Sequence, residues 1–200
     1  FKQEFPKVHL VLHQASPTEI VTMLQDGRAD IGIATESIAS VSDCVSFQYY
    51  GWHHSVIVPA GHPLESVEPL TLEAIAEHPI ITYHEGFTGR TRIDETFASA
   101  GLAPDIVMSA LDADVIKAYV ELGLGIGIVA SMAYDPARDQ ALRMLPSSHL
   151  FGENVTRIAV RKGHFLRGFA YRFIELCSPT LTEAVVRSAL RPESEMESAY

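Results

Sequence analysis

The chain has 200 residues, 47% of them hydrophobic, enough to bury a substantial core in one large domain or two small lobes without disulfides or metal. Its formal net charge of -10 argues against a nucleic-acid surface on this piece, because phosphate backbones are held by clustered Lys and Arg. No positively charged stretch leads into an apolar core at the N-terminus. The longest apolar run, residues 122–130, is broken by glycines and too short for a bilayer, so secretion and membrane insertion are unsupported.

In chain order, residues 1–5 read as the end of a helix stopped by Pro6, which makes the chain a fragment, and residues 8–13 as an extended alternating run. Ser16-Pro17-Thr18-Glu19 carries an N-cap, a proline at the first helical position and a capping-box glutamate. The helix it opens ends at Asp26-Gly27. Residues 29–35 (ADIGIAT) form an apolar strand of the kind buried in a parallel sheet, so this β–α–β order predicts a parallel pair with Thr35 at the rim of a crevice. Residues 44–58 alternate for longer than one short strand and read as a crossing between two lobes. Pro59-Ala60-Gly61-His62-Pro63 then turns the chain.

A second α/β repeat begins at Thr71, with helices over 72–77, 89–100 and 112–122 and strands over 79–83, 105–110 and 125–129. Thr88 and Asp112 are the N-terminal helix signals; Gly101 and Gly123 are the stops. A strand over 155–162 leads back to the first lobe. A helix over 166–176 places Phe169, Phe173 and Leu176 at core spacing, a short helix covers 180–190, and residues 191–200 form a frayed polar tail. The fold class is therefore α/β, with two Rossmann-like lobes joined by two crossing strands. The first lobe takes residues 1–49 and 155–178 and the second 54–150, with 179–200 as a C-terminal helix and tail. Such a hinged pair closes on a small ligand in the cleft, and does not by itself distinguish a sensor, a transport protein and an enzyme.

Several residues are candidates for the ligand. Thr88, Gly89 and Arg90 follow a strand and open a helix, so a hydroxyl and two amides point at an anion; the plainer role for Thr88 is an N-cap. Thr35 offers a hydroxyl at the end of a strand, and is equally a structural threonine. Ser16 is explained by its cap, and Trp52 reads more readily as hinge packing than as a contact. Gly123-Leu124-Gly125-Ile126-Gly127 is not a dinucleotide loop, because it follows a helix rather than a strand. Adjacent His53 and His54 point to opposite strand faces, no metal-ligand spacing is present, and neither a GxSxG elbow nor a P-loop occurs. No metal, cofactor or catalytic residue is expected. Cys44 and Cys177 read as buried, reduced thiols of a reducing compartment, hence the cytoplasm.

Taken together, FPKVHLVLHQASPTEI, ADIGIATE, GWHHSVIVPAGHPL, TYHEGFTGR, DADVIKAYVELGLGIGIVASMA and FLRGFAYRFIELCSPTLTEAVV resemble the effector-binding region of LysR-type transcriptional regulators of the CysB and Cbl kind, over about residues 1–190. The resemblance implies a periplasmic-binding-protein-like type II fold and an interlobe cleft for sulfate, an acetylserine or adenylyl sulfate. It also implies a role in sulfur assimilation, a homo-oligomer, and promoter DNA contacted only through a helix-turn-helix domain that this chain lacks. It carries Thr35 and Thr88 over as anion contacts and Trp52 as a residue of inducer response. It further implies that the first strand of the first lobe, with part of the anion site, precedes this chain, leaving an N-terminally truncated lobe. Besides that truncation, a second departure bears on the effector: Ala15, Glu19 and Leu111 stand where the family commonly has Gly, Gln and Thr, and a Glu19 carboxylate facing the ligand would repel an anion unless the capping box holds it. A solute-binding protein of a small-anion transport system is the alternative.

Overall fold

A computed structural model describes residues 1–35, 38–39 and 41–190. The chain divides into two compact units, one built from the described residues of Phe1–Tyr50 and Val155–Tyr200 and the other from Gly51–Asn154.

The first unit starts from a helix that its sequence caps at both levels. Ser16 takes the amide of Glu19 on its hydroxyl, and the Glu19 carboxylate reaches back to the Ser16 amide at 2.8 Å, so α1 (Pro17–Gln25) begins at a reciprocal capping box. Strands β1 (Gly32–Ala34), β2 (Cys44–Trp52) and β8 (Asn154–Arg161) form a sheet in the order β1-β8-β2. Period-two alternation sorts β8 between the two faces. Ile158 and Val160 pack with Ala170, Tyr171 and Ile174 of α5 (Gly168–Cys177) and Val186 and Leu190 of α6 (Glu183–Leu190), while Ala159 joins Leu24, Ala34 and Ile38 on the other side.

Five expectations for this part of the chain are corrected. Residues 1–5 are turns rather than a helix end. Residues 8–13 carry no regular secondary structure, and no strand pairs with them among the described residues; a strand exists only through a neighbouring ladder, and alternation alone does not supply one. The apolar strand β1 is consequently not half of a parallel pair: it runs antiparallel to β8, with Ile33 opposite Ile158. On α5 the inward residues are Ala170, Tyr171 and Ile174, whereas Phe169 and Phe173 are half-buried and Leu176 is exposed. The fully buried set lies one helical position round from the expected one, although Phe169 still packs against that core, and Arg172 and Glu175 ion-pair at 2.9 Å on the more exposed side. The stretch predicted as a crossing is two strands, β2 and β3 (His54–Pro59), broken at His53.

In the second unit the sheet order is β5-β4-β6-β3-β7, with β3 at His54–Pro59, β4 at Ile80–Tyr83, β5 at Ile106–Ala110, β6 at Ile126–Ala130 and β7 at Leu142–Leu145. Strand β4 is parallel to both β5 and β6, and β3 is antiparallel to β6 and β7. Both faces are covered, which is why β4 and β6 are buried along their whole length. Ile80, Ile126, Ile128, Val56 and Val58 pack with α2 (Leu72–Ala76) and with Ile93 and Phe97 of α3 (Arg90–Ser99). Ile57, Ile81, Tyr83 and Val129 pack with Ile116 and Val120 of α4 (Ala113–Glu121). The glycine run now has a packing role: a Cβ on Gly127 would lie 3.0 Å from Val120 of α4 and 2.5 Å from Ile57, so glycine lets α4 settle on the sheet.

Candidate functional site

The β4–α3 connection of the second unit carries the most specialised backbone in the molecule. Strand β4 and β5 are parallel, so this turn lies at the carboxyl end of a central parallel strand, where α/β sheets hold ligands. Within seven residues the chain passes through left-handed conformations at Gly86 (φ 80°), Thr88 (φ 40°) and Gly89 (φ 67°). Thr88 is the only such non-glycine residue among those described, and a threonine held there is strained by about 1–3 kcal/mol. Such strain is retained when its surroundings impose it.

Those surroundings are a buried polar column beneath the turn. His54 is fully buried at the start of β3, and its Nε2 lies 2.9 Å from the Thr88 carbonyl. A carbonyl only accepts, so Nε2 carries the proton and donates; Nδ1 is then free to accept from Asn154 Nδ2 at 3.3 Å. Burial pushes the imidazole down to about 4, with the Thr88 bond opposing that shift and Arg92 and His53 adding to it, so the ring is neutral near pH 7. Trp52, Phe151 and Tyr83 surround the ring, the Trp52 indole meeting it edge-on at 4.9 Å. Burial also pushes the Tyr83 phenol up to about 12, and its oxygen accepts the Ala130 amide at 3.0 Å.

The predicted residues divide on this framework. Thr88 does not cap the helix: the N-cap is Gly89, which has no side chain to do so, and nothing among the described residues engages the Thr88 hydroxyl. Arg90 is corrected outright. Its amide closes the turn on the Phe87 carbonyl at 2.9 Å, and its buried guanidinium holds the Tyr83 carbonyl and Asp94, each at 2.8 Å. Both its amide and its side chain are thus engaged in building the turn. Among the described residues the amides of Thr88, Gly89 and Thr91 meet no backbone acceptor, so the turn presents a hydroxyl and three N–H groups at the start of a ten-residue helix.

In the first unit, Thr35 follows β1 and is half-buried, its carbonyl taking the Ile38 amide at 3.2 Å. Ser16 and Glu19 are spent on each other, the hydroxyl and carboxylate 2.8 Å apart, and the Ser16 bonds hold the Glu19 carboxyl below its usual range. Trp52 is buried against His54. The partners that sequence reasoning missed are His54 and Asn154. The available signal was phase: His54 shares a face with Val56 and Val58 in an inward-facing strand, where a histidine needs partners.

Residues 8–13 and the outer edge of β1 line a groove of about 390 Å³ with Phe1, Ile20, Met23 and Phe173, in which Leu10, Val11 and Leu12 are exposed. Both cysteines are free thiols; Cys44 is buried and Cys177 half-buried, and burial raises both above the ordinary thiol value. Among the described residues no three His, Cys, Asp or Glu side chains gather as a metal site, and no helix is long and apolar enough to cross a membrane.

Two covered faces on a mixed sheet with a parallel β5-β4-β6 centre, and a helix start at the carboxyl end of β4, define a ligand-binding α/β module, and a family model described as LysR substrate binding domain matches residues 1–182. The chain belongs to that family. It is 56% identical over 191 residues to the HTH-type transcriptional regulator SsuR and 50% over 195 residues to the regulator CysB, both of Burkholderia cenocepacia, covering 96% and 98% of this chain. It is 46% identical over 200 residues to the regulator cbl of Escherichia coli strain K12. These relatives are transcriptional regulators, not enzymes, and the chain spans 62%, 62% and 63% of their respective lengths. Among solved structures it matches the cofactor-binding domain of the Cbl transcriptional regulator with a TM-score of 0.88 at 46% identity, covering 96% of this chain and 84% of that one. A match to the effector-binding domain of QuiR in complex with shikimate, at 18% identity and TM-score 0.74, concerns the fold alone.

Proposed function

We propose that this chain is the effector-sensing domain of a LysR-type transcriptional regulator of sulfur assimilation, and that it binds a small anion (sulfate, an acetylserine or adenylyl sulfate) on the Thr88–Gly89–Thr91 turn. The observation that carries the reading is the turn itself: a strained threonine with an unengaged hydroxyl, beside amides without backbone acceptors, at the start of α3. Similarity to SsuR, CysB and cbl supports the regulator class. Thr35 is proposed as a second hydroxyl donor. The Glu19 carboxylate does not oppose an anion, since it is tied to the Ser16 amide and hydroxyl.

No chemistry on the ligand is involved. An effector that binds one conformational state better than another shifts the population by that difference in affinity, and in the complete regulator the shift changes promoter binding through a separate helix-turn-helix domain. The regulator is proposed to work as a cytoplasmic homo-oligomer.

Calorimetric titration with sulfate, N-acetylserine, O-acetylserine and adenylyl sulfate tests the reading, alongside Thr88→Ala and Thr35→Ala. Saturable binding of one of these, weakened tenfold or more by each substitution, supports it and names the effector. Binding of none of the four removes the case for sulfur sensing.

A further inference from the structure

The anion reading leaves unexplained why Thr88 stays in a left-handed conformation. The column beneath it supplies a cause. His54 donates to the Thr88 carbonyl at 2.9 Å and accepts from Asn154 at 3.3 Å, and both His54 and Asn154 are buried. Asn154 in turn closes over Gly89, where an added Cβ would lie 2.7 Å from its Oδ1 and 2.9 Å from His54 Cε1. The Thr88 carbonyl is thus held from below, and the next residue fits only without a side chain. These partners also have a particular place in the chain. The second unit begins at Gly51 and ends at Asn154, so His54 lies just after the outgoing crossing and Asn154 at the returning one.

We propose that His54 is the positioning residue of the effector turn: its Nε2–H fixes the Thr88 carbonyl so that the Thr88 hydroxyl and the neighbouring amides face the anion, and Asn154 locks the ring in the tautomer that does this. The arrangement rests on the anion reading above. It makes the turn mechanically continuous with both segments by which the chain enters and leaves this unit, so ordering of the turn by a ligand is felt at both crossings. A glutamine at position 54 retains an N–H donor of nearly the same reach; a phenylalanine retains the ring volume and donates nothing. Removing the donor would leave the Thr88 carbonyl and the buried Asn154 amide without these partners, which frees the turn to leave its strained state.

The experiment uses the whole chain at pH 7, isotope-labelled, as wild type, His54→Gln and His54→Phe. Histidine ring nitrogen shifts in the wild type should show His54 neutral and protonated on Nε2, which needs no variant to fold. The Phe substitution should move the amide resonances of Thr88, Gly89 and Thr91 and weaken sulfate binding at least tenfold, and Gln should restore both to near wild type at matched thermal stability. A ring protonated on Nδ1 or on both nitrogens overturns the proposal, as does a His54→Phe chain with unchanged turn resonances and sulfate affinity. If the resonances respond as expected while wild type shows no saturable sulfate binding, the positioning role stands and the sulfate reading falls.

Discussion

Gly89 and Asn154 are packed so closely that no other residue type fits at position 89: a Cβ there would sit 2.7 Å from Asn154 Oδ1, on a backbone with φ of 67°. Gly89→Ala therefore meets both a conformational and a steric penalty, expected together to destabilise the fold by about 2–4 kcal/mol. Gly61 has a similar φ of 86° with nothing within 4 Å of a built Cβ, so Gly61→Ala isolates the conformational part, about 1 kcal/mol. Urea unfolding of the two variants checks this; equal midpoints would show that Asn154 does not crowd the turn.

Thr88 separates stability from binding. Its φ of 40° is unfavourable for threonine and acceptable for glycine. Thr88→Gly is expected to raise unfolding stability by about 0.5–1 kcal/mol while weakening the anion at least tenfold. Thr88→Ala keeps the strain, and so should lose the affinity without the gain. Denaturant midpoints and calorimetry on the same samples read both effects.

His54 links stability to pH. Its imidazole titrates at about 4 when folded against 6.5 as the ordinary value, so between these pH values the unfolded chain binds the extra proton. The contribution is complete above pH 6.5 and is lost as pH falls toward 4, amounting to about 3 kcal/mol over that window. Urea midpoints from pH 7 to pH 4.5 should fall steeply in wild type and less in His54→Gln; parallel slopes would place the buried proton uptake elsewhere.

A second, part-buried polar contact ties α4 to the segment after β6. Lys117 of α4 reaches the Ala133 carbonyl at 2.9 Å and Asp139 at 3.1 Å, and Asp139 also accepts the Asp135 amide at 2.9 Å. Burial alone would raise the Asp139 carboxyl, but these hydrogen bonds outweigh it and hold it below the usual range. Asp139→Asn should destabilise by about 2 kcal/mol, because Lys117 keeps only its carbonyl and the exposed Asp114. Thermal unfolding with the exposed Asp114→Asn as comparison reads the difference, which should be several-fold.

Residues 8–13 look like a strand in sequence and behave as an exposed segment in the fold. Among the described residues the amides of Leu10, Val11, Leu12 and His13 have no backbone acceptor. They are expected to exchange with solvent near the rate of an unstructured peptide, while those of β8 are protected by orders of magnitude. Protection at residues 10–13 comparable to β8 would reveal a ladder partner.

Much of the architecture was legible because it is local. The Ser16 cap with its Glu19 partner, the Asp112 cap of α4, and the left-handed Gly101 and Gly123 at helix ends depend on residues within four positions of one another, and all take their expected places. The βαβ rhythm of residues 71–130 likewise follows from hydrophobic period, and β4, β5 and β6 run parallel. The family, too, was readable from ordered segments of sequence, and the family match over residues 1–182 covers all of them but the last four residues of the final segment.

What sequence by itself could determine ended where partners are distant. Alternation marked residues 8–13 as strand-like, but only a neighbouring strand makes a strand. The same separation hid the site's foundation: His54 and Thr88 lie 34 positions apart, and His54 and Asn154 lie 100 apart. Arg90 read as a ligand residue because its amide opens a helix; the fold instead closes that amide on the Phe87 carbonyl and buries the guanidinium on the Tyr83 carbonyl and Asp94. Capping and hydrophobic period are set by neighbours along the chain. The orientation of a buried donor is set by whichever acceptor the tertiary fold brings within hydrogen-bond distance.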